Sequence, residues 1–73
     1  MNVVYEGQKI SHREMEILEL VVKGKRNKEI AYKLKIADQT VKNYVSQLFV
    51  KTNTGSRVEL AVKYSYLIDG SMN

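Results

Sequence analysis

The chain has 73 residues, a length that fits one small domain. Its sequence is 44% hydrophobic and contains no proline, which indicates a folded, helical chain and argues against disorder. With no cysteine and one histidine, disulfides are excluded and a zinc site is not expected, so we expect neither a metal nor a cofactor. No apolar run is long enough for a membrane span or a signal peptide, and we therefore expect a cytoplasmic protein that does not enter a membrane.

The net charge of +4 is distributed unevenly along the chain. Residues 1–22 carry two basic and four acidic side chains, residues 23–51 carry eight basic and two acidic ones, and residues 52–73 are balanced. A positive field confined to one segment favours a polyanion such as the phosphate backbone of a nucleic acid, and it predicts salt-dependent binding.

The chain begins with residues 1–9, which show no sustained periodicity and are interrupted by Gly7, so we expect a flexible N-terminal arm there. A first helix is predicted over about residues 11–23. It starts at a capping box in which Ser11 and Glu14 each satisfy a backbone donor of the other. Apolar residues then repeat at helical spacing, and Gly24 is placed to end the helix in the left-handed conformation.

Two further helices, over about residues 27–34 and 38–51, are separated by a connection of about three residues, which is typical of a helix-turn-helix. In the second of them Val41, Val45 and Leu48 fall at i, i+4 and i+7, and this spacing predicts a buried stripe. The opposite face carries side chains whose donors and acceptors suit the edges of DNA bases, namely Gln39, Lys42, Asn43 and Ser46. We interpret residues 38–51 as a DNA recognition helix.

A polar break at residues 52–55 precedes a second capping box, Ser56 with Glu59, and a fourth helix over about residues 57–68. The predicted architecture is an all-α domain of four helices with a central helix-turn-helix over residues 10–69, followed by a short tail at residues 70–73.

The fourth helix is apolar on more than one side, whereas a core needs a single stripe. We therefore expect a weak homodimer contact through Val58, Val62 and Tyr66. Such a pair would place two recognition helices roughly 34 Å apart, as required to read an inverted repeat.

The order of these motifs resembles the LuxR/GerE-type DNA-binding domain of bacterial transcription regulators. The resemblance runs from Ile10 to about Tyr64 and rests on several short motifs taken together: I-S-x-R-E-x-E-I-L-x-L at 10–20, N-K-E-I-A at 27–31, T-V-K at 40–42 and S-R-V-E-L-A-V at 56–62. It implies sequence-specific binding of double-stranded DNA, with helix 3 in the major groove and helix 4 pairing two copies. RNA polymerase is a further candidate partner.

Carried over position by position, the resemblance implies base contacts from Lys42, Asn43 and Ser46, with Gln39 at the start of the helix. It implies phosphate contacts from Lys28, Thr40, Gln47 and Lys51. We add two residues just before and at the start of helix 2, Arg26 and Asn27, to the predicted phosphate contacts.

This sequence departs from the family pattern at four positions. Arg26 replaces a serine that usually caps helix 2, so that cap must come from Asn27 or be weaker. Tyr44 replaces a frequent histidine. Thr52 and Thr54 replace two apolar residues at the junction of helices 3 and 4, which we expect to be the softest part of the domain.

Other interpretations of these residues were weighed against DNA binding. The polar face of helix 3 could be merely solvated, and the apolar helix 4 with the basic face could form a protein-interaction module. The promoter-recognition domain of a sigma factor has a similar helix-turn-helix, but the R-E-x-E-I-L start argues against it. An enzyme is not expected, because Glu14 is assigned to capping and His12 beside Ser11 has no acidic third member and no oxyanion loop nearby.

Overall fold

The computed structural model describes residues 2–5 and 8–67. A hairpin of β1 (Asn2–Tyr5) and β2 (Gln8–Ser11) precedes four helices, α1 (His12–Val22), α2 (Asn27–Leu34), α3 (Asp38–Thr52) and α4 (Arg57–Lys63). The predicted four-helix class with a central helix-turn-helix, formed by α2 and α3, is confirmed. Within the described residues, no helix combines the length and the apolar character needed to cross a membrane.

The hairpin differs from the flexible arm that we predicted for residues 1–9. Strands β1 and β2 pair antiparallel, with Val3 opposite Ile10. Ile10 is fully buried in the core, and β2 packs against α1 and α3. Burial of Ile10 ties the second strand to the domain, and the four-residue strands are too short for a clear alternating pattern in the sequence. Residues 1, 6 and 7 lie outside the described residues.

The core lies between α1, α3 and the shorter helices that pack on them. The predicted stripe of α3 is buried as expected, and it meets apolar residues from every other helix and from β2. The buried hydrophobic residues are Ile10, Ile17, Leu18, Leu20, Val21, Ile30, Ala31, Val41, Val45, Leu48, Leu60 and Tyr64.

The capping box at the start of α1 is confirmed. The Ser11 hydroxyl accepts from the Glu14 amide at 3.1 Å, and the Glu14 carboxylate accepts from the Ser11 amide at 2.8 Å. At α4, Ser56 caps through the Glu59 amide at 3.1 Å, while the Glu59 carboxylate accepts from the Gly55 amide at 2.8 Å.

Three helices end in the same way, with a residue in the left-handed conformation: Gly24 at φ 85°, Lys35 at φ 59° and Asn53 at φ 56°. In each case the following amide reaches back to a carbonyl five residues earlier, at 3.0 Å, which is the Schellman arrangement. Of these three helix ends, only the one at Gly24 was predicted from the sequence, because glycine is the residue that adopts the left-handed conformation readily. The Lys35 turn sets the direction in which the chain leaves α2 and enters α3.

Helix α4 is shorter than the predicted helix over residues 57–68. It stops at Lys63, and Tyr64 and Ser65 form a turn before residues 66 and 67 become helical again. Tyr64 is buried and has φ −111°, so the helix gives way where this large ring enters the core. Ile68 and the predicted tail lie outside the described residues.

The junction of α3 and α4 is closed by the two threonines that replace apolar residues. Both are buried, and the Thr52 hydroxyl donates to the Leu48 carbonyl at 2.6 Å and lies 3.0 Å from the Thr54 hydroxyl. Lys63 Nζ donates to the Thr52 carbonyl at 2.7 Å. The buried hydroxyls are thus satisfied, which avoids the cost of an unpaired polar group. The predicted softness of this junction stays a prediction.

Candidate nucleic-acid interface

Helix α3 presents two opposite stripes with the same spacing. Val41, Val45 and Leu48 are buried, and Thr52 continues this stripe at the end of the helix. The exposed stripe begins two residues earlier, with Gln39, Asn43 and Ser46 at i, i+4 and i+7. Since two residues rotate a helix by roughly 200°, the exposed stripe lies opposite the anchored one.

The four predicted base-reading residues therefore share one solvent-exposed surface: Gln39, Lys42, Asn43 and Ser46. Gln39 and Asn43 are already linked, because Gln39 Nε2 donates to Asn43 Oδ1 at 3.0 Å. This bond holds two adjacent amides in a defined relative position and leaves the Asn43 amide nitrogen free to donate elsewhere.

The start of α2 has no side-chain cap. Arg26 is the N-cap residue and has no side-chain acceptor, so only half of a capping box forms, with the Glu29 carboxylate accepting from the Arg26 amide at 2.7 Å. Asn27 does not cap the helix, since it is the first helical residue. The sequence predicted either a cap from Asn27 or a weaker cap, and the weaker cap is observed.

Asn27 is instead bound by Arg57 from the start of α4. The guanidinium donates to Asn27 Oδ1 and to the Lys25 carbonyl, each at 2.6 Å. Burial of Arg57 lowers the pKa of its guanidinium. This clamp fixes the α1–α2 loop and the start of α2 relative to α4. Sequence reasoning missed it, because the partners are 30 residues apart and no local pattern links them.

Most of the predicted phosphate-contacting side chains are accessible to solvent, whereas Lys51 is already bound within the chain. Arg26, Lys28 and Gln47 are exposed, and Thr40 is half-buried in the first turn of α3. Arg26 and Lys28 lie at the start of α2, Thr40 in the first turn of α3 and Gln47 later in α3.

Lys51 differs from the other candidates because its ammonium is already bound. Lys51 Nζ lies 2.8 Å and 3.0 Å from the two oxygens of Glu14, whose residue is 2% exposed. Burial by itself would raise the pKa of the Glu14 carboxyl, but hydrogen bonds from Lys51 and Ser11 and the Lys51 charge together lower it. A phosphate would have to compete with this carboxylate, so Lys51 serves first to join α3 to α1.

The outer face of α2 is strongly basic. Two open cavities of about 560 and 640 Å³ share Lys28, Tyr32 and Lys33 in their walls. Tyr32 is 88% exposed, and Lys25 and Lys35 complete a group of exposed cations around it. In the part of the chain that the structure describes, none of these four lysines forms an ion pair, so their charge adds to the field beside α3.

The predicted dimer residues form an apolar line that starts on α4 and includes one residue beyond the turn that ends it. Val58, Val62 and Tyr66 are 73%, 67% and 50% exposed. Val58 and Val62 are four residues apart and share one side of α4, while Tyr66 follows the turn. Val50 at the end of α3 is also exposed, and sequence reasoning did not single it out. Its i+4 spacing from Ser46 was the signal that could have identified it.

Known regulatory proteins resemble this chain in sequence. The model of the GerE family, described as bacterial regulatory proteins of the luxR family, matches residues 8–64. The response regulator Rre1 of Synechocystis is 54% identical over 48 residues, covering 66% of this chain and 21% of the relative. The transcriptional regulatory protein DesR of Bacillus subtilis is 44% identical over 54 residues, or 74% of this chain and 27% of that protein. The glycerol metabolism activator of Pseudomonas putida is 42% identical over 52 residues, or 71% and 24%. The chain thus spans about a quarter of the length of such relatives.

Proposed function

This chain belongs to the luxR family of bacterial regulatory proteins, and on that premise we propose that it binds specific double-stranded DNA sites through α3 in the major groove. The observation that carries the proposal is the pair of opposite stripes on α3. Val41, Val45 and Leu48 anchor the helix in the core. From Gln39 to Ser46, the outward stripe offers only side chains that can form hydrogen bonds with the edges of bases. The chain acts by binding and not by catalysis.

Each exposed side chain has a role in this proposal. Lys42 donates to the two acceptors of guanine, and Asn43 donates to and accepts from adenine. Gln39 contacts a base or supports Asn43 through their hydrogen bond. Ser46 is small enough to admit a base or a bridging water.

Phosphate contacts fix the orientation of the helix on the duplex. Lys28, Thr40 and Gln47 are the side chains best placed for this, with Arg26 and Asn27 contributing at the start of α2. Lys51 contributes less than these residues, because its ammonium is bound to Glu14. The group of exposed lysines on and beside α2 supports a strong dependence of binding on salt.

We also propose that two copies pair through α4 when bound to an inverted repeat. The exposure of Val58, Val62 and Tyr66 supports this arrangement. A single line of three side chains is a small interface, so the pair is weak without DNA. In the cytoplasm, a bound pair could then contact RNA polymerase and regulate transcription.

The same exposed side chains favour one rival function, a protein-interaction module in which α4 docks a partner helix. A mobility shift with random genomic DNA at low salt separates the two. DNA binding predicts retardation, because non-specific phosphate contacts need no particular sequence, whereas the rival predicts none.

Selection of bound sites from a random duplex library tests the proposal more closely. We expect enrichment of a short motif, present as an inverted repeat whose half-sites are centred about one helical turn apart. Recovery of unenriched sequences would show that the chain binds DNA without reading it, and recovery of no duplex would overturn the proposal.

A further inference from the structure

Val50 interrupts the polar character of the outward surface of α3. Its side chain is 81% exposed in the last turn of a helix whose other apolar residues are buried or half-buried. Val50 is still helical, since α3 extends to Thr52, and its carbonyl accepts from the Asn53 amide at 3.3 Å in the turn that ends the helix. The exposed isopropyl group is therefore held in place by ordered backbone.

Val50 lies on the same line as the proposed base-reading residues. Counted from Gln39, the exposed stripe has members at i, i+4, i+7 and i+11, and Val50 is the last of them. The buried stripe has the same spacing from Val41 to Thr52. Val50 lies four positions after Ser46, which is about 6 Å along the helix axis and roughly two base-pair steps of a duplex.

The chemistry of valine restricts what it can contact there. An isopropyl group neither donates nor accepts a hydrogen bond, so it gains nothing from a phosphate or from the polar edge of a base. The apolar group that the major groove offers is the C5-methyl of thymine. Because valine is branched at Cβ and held mainly to one rotamer in a helix, little side-chain entropy is lost on contact.

We propose that Val50 is a specificity-determining residue that contacts the methyl group of a thymine in each half-site, about two base pairs beyond the base beside Ser46. This inference rests on the proposed function and extends it to a base that no polar side chain reads.

Replacing thymine with deoxyuridine tests the contact, because the exchange removes only the methyl group. Each thymine of a selected duplex is replaced in turn, and binding is measured for the wild-type chain and for Val50→Ala. At one thymine of each half-site we expect the wild-type chain to lose about fourfold in affinity, as for the burial of one methyl group. Val50→Ala should bind the unmodified duplex more weakly and respond much less at that position.

Gln47→Ala is the matched control on the same helix. It should weaken binding to every duplex alike and keep the response to the replaced thymine, since Gln47 is proposed to contact phosphate. Circular dichroism establishes that both variants are folded.

Three results would overturn the inference while leaving the proposed function intact: selected sites without a thymine at this position, no loss for the wild-type chain with any deoxyuridine, or an equal loss for Val50→Ala. If the wild-type chain binds no duplex at all, the proposed function itself fails and the inference fails with it.

Discussion

At the scale of single residues, Glu14 makes the contact that joins the start of α1 to the end of α3. Its carboxylate accepts from the Ser11 amide and from Lys51 in the last turn of α3. A side chain that caps one helix thus also fixes the position of another. Neither residue belongs to the outward stripe of α3, so this bond can be removed without changing that stripe.

Replacing Glu14 with glutamine should reduce the free energy of unfolding by about 1–2 kcal/mol at pH 7, because the charge-assisted bond to Lys51 is lost while an acceptor for Ser11 remains. The loss is moderate because the Lys51 side chain is 32% exposed and its charge is partly screened by water. Denaturant unfolding measures the difference. Glu19→Gln is the control, since Glu19 is exposed on the same helix, and it should change stability by less than about 0.5 kcal/mol.

The same variant should flatten the pH dependence of stability in acid. The pKa of the Glu14 carboxyl is lowered from 4.5 in the folded chain, so the unfolded chain binds the proton more tightly. The contribution of Glu14 is therefore complete above about pH 4.5 and is lost as the pH falls through the folded-state pKa. The stabilities of wild type and Glu14→Gln should converge as the pH falls below about 4.5, and a gap that stays constant as the solution is acidified would contradict the assignment.

Because Lys35 has a left-handed conformation, replacing it with glycine should change stability in the opposite direction from the same replacement at Lys33. Lys35→Gly should stabilise the chain by about 0.5–1 kcal/mol, because glycine adopts φ 59° without the Cβ clash. Lys33→Gly removes the same charge from inside α2 and should destabilise by a similar amount. Thermal unfolding of the two variants measures both, and the same sign for both would refute the explanation.

At the scale of helices, the proposal assigns phosphate contacts to α2 through Lys28 and base contacts to α3 through Lys42. Lys42→Ala should lower affinity for a selected duplex by about tenfold or more and affect a scrambled duplex less, since a base contact is worth about 1–3 kcal/mol. Lys28→Ala should weaken both duplexes alike and reduce the salt slope by about one. Titrations at two salt concentrations compare them, and an equal loss on both duplexes for Lys42→Ala would remove its base-reading role.

The features that could be predicted from the sequence are those set by residues close together within one helix. The stripe of Val41, Val45 and Leu48 has a clear spacing, and the Ser11 capping box has a local signature, so both were confirmed. Contacts between distant elements were not predictable in this way. The clamp of Arg57 on Asn27 and the bond of Lys51 to Glu14 depend on how helices meet in space.

The end of α4, the β-hairpin and the exposure of Val50 were also not predicted, because each depends on which side chains are buried in the folded chain. Helix α4 ends just before Tyr64, whose ring is buried in the core, although the apolar sequence pattern continues past it. The β-hairpin is held by the burial of Ile10, a tertiary effect that a short window cannot reveal. Val50 was overlooked because an isolated valine in a helix is ordinarily assigned to the core.

At the scale of the whole molecule, the basic face and the apolar line of α4 lie on different elements, so DNA binding and pairing should be separable. Val62→Glu replaces an exposed residue with a charged one and should leave the monomer folded. We expect it to lower affinity for an inverted repeat by about tenfold, because the benefit of linking two sites is lost. Affinity for a duplex with a single half-site should not change. If both duplexes lose affinity equally, α4 does not pair the two copies.

The central claim is that the outward stripe of α3 meets the edges of DNA bases. Its most direct test is a nuclear magnetic resonance titration of the labelled chain with a selected duplex, following the side-chain amide signals of Gln39 and Asn43. These signals should move and saturate at one chain per half-site, while the backbone signals of the β-hairpin stay in place. If the two amides keep their positions in dilute buffer as the duplex is added, α3 is not the surface that reads DNA.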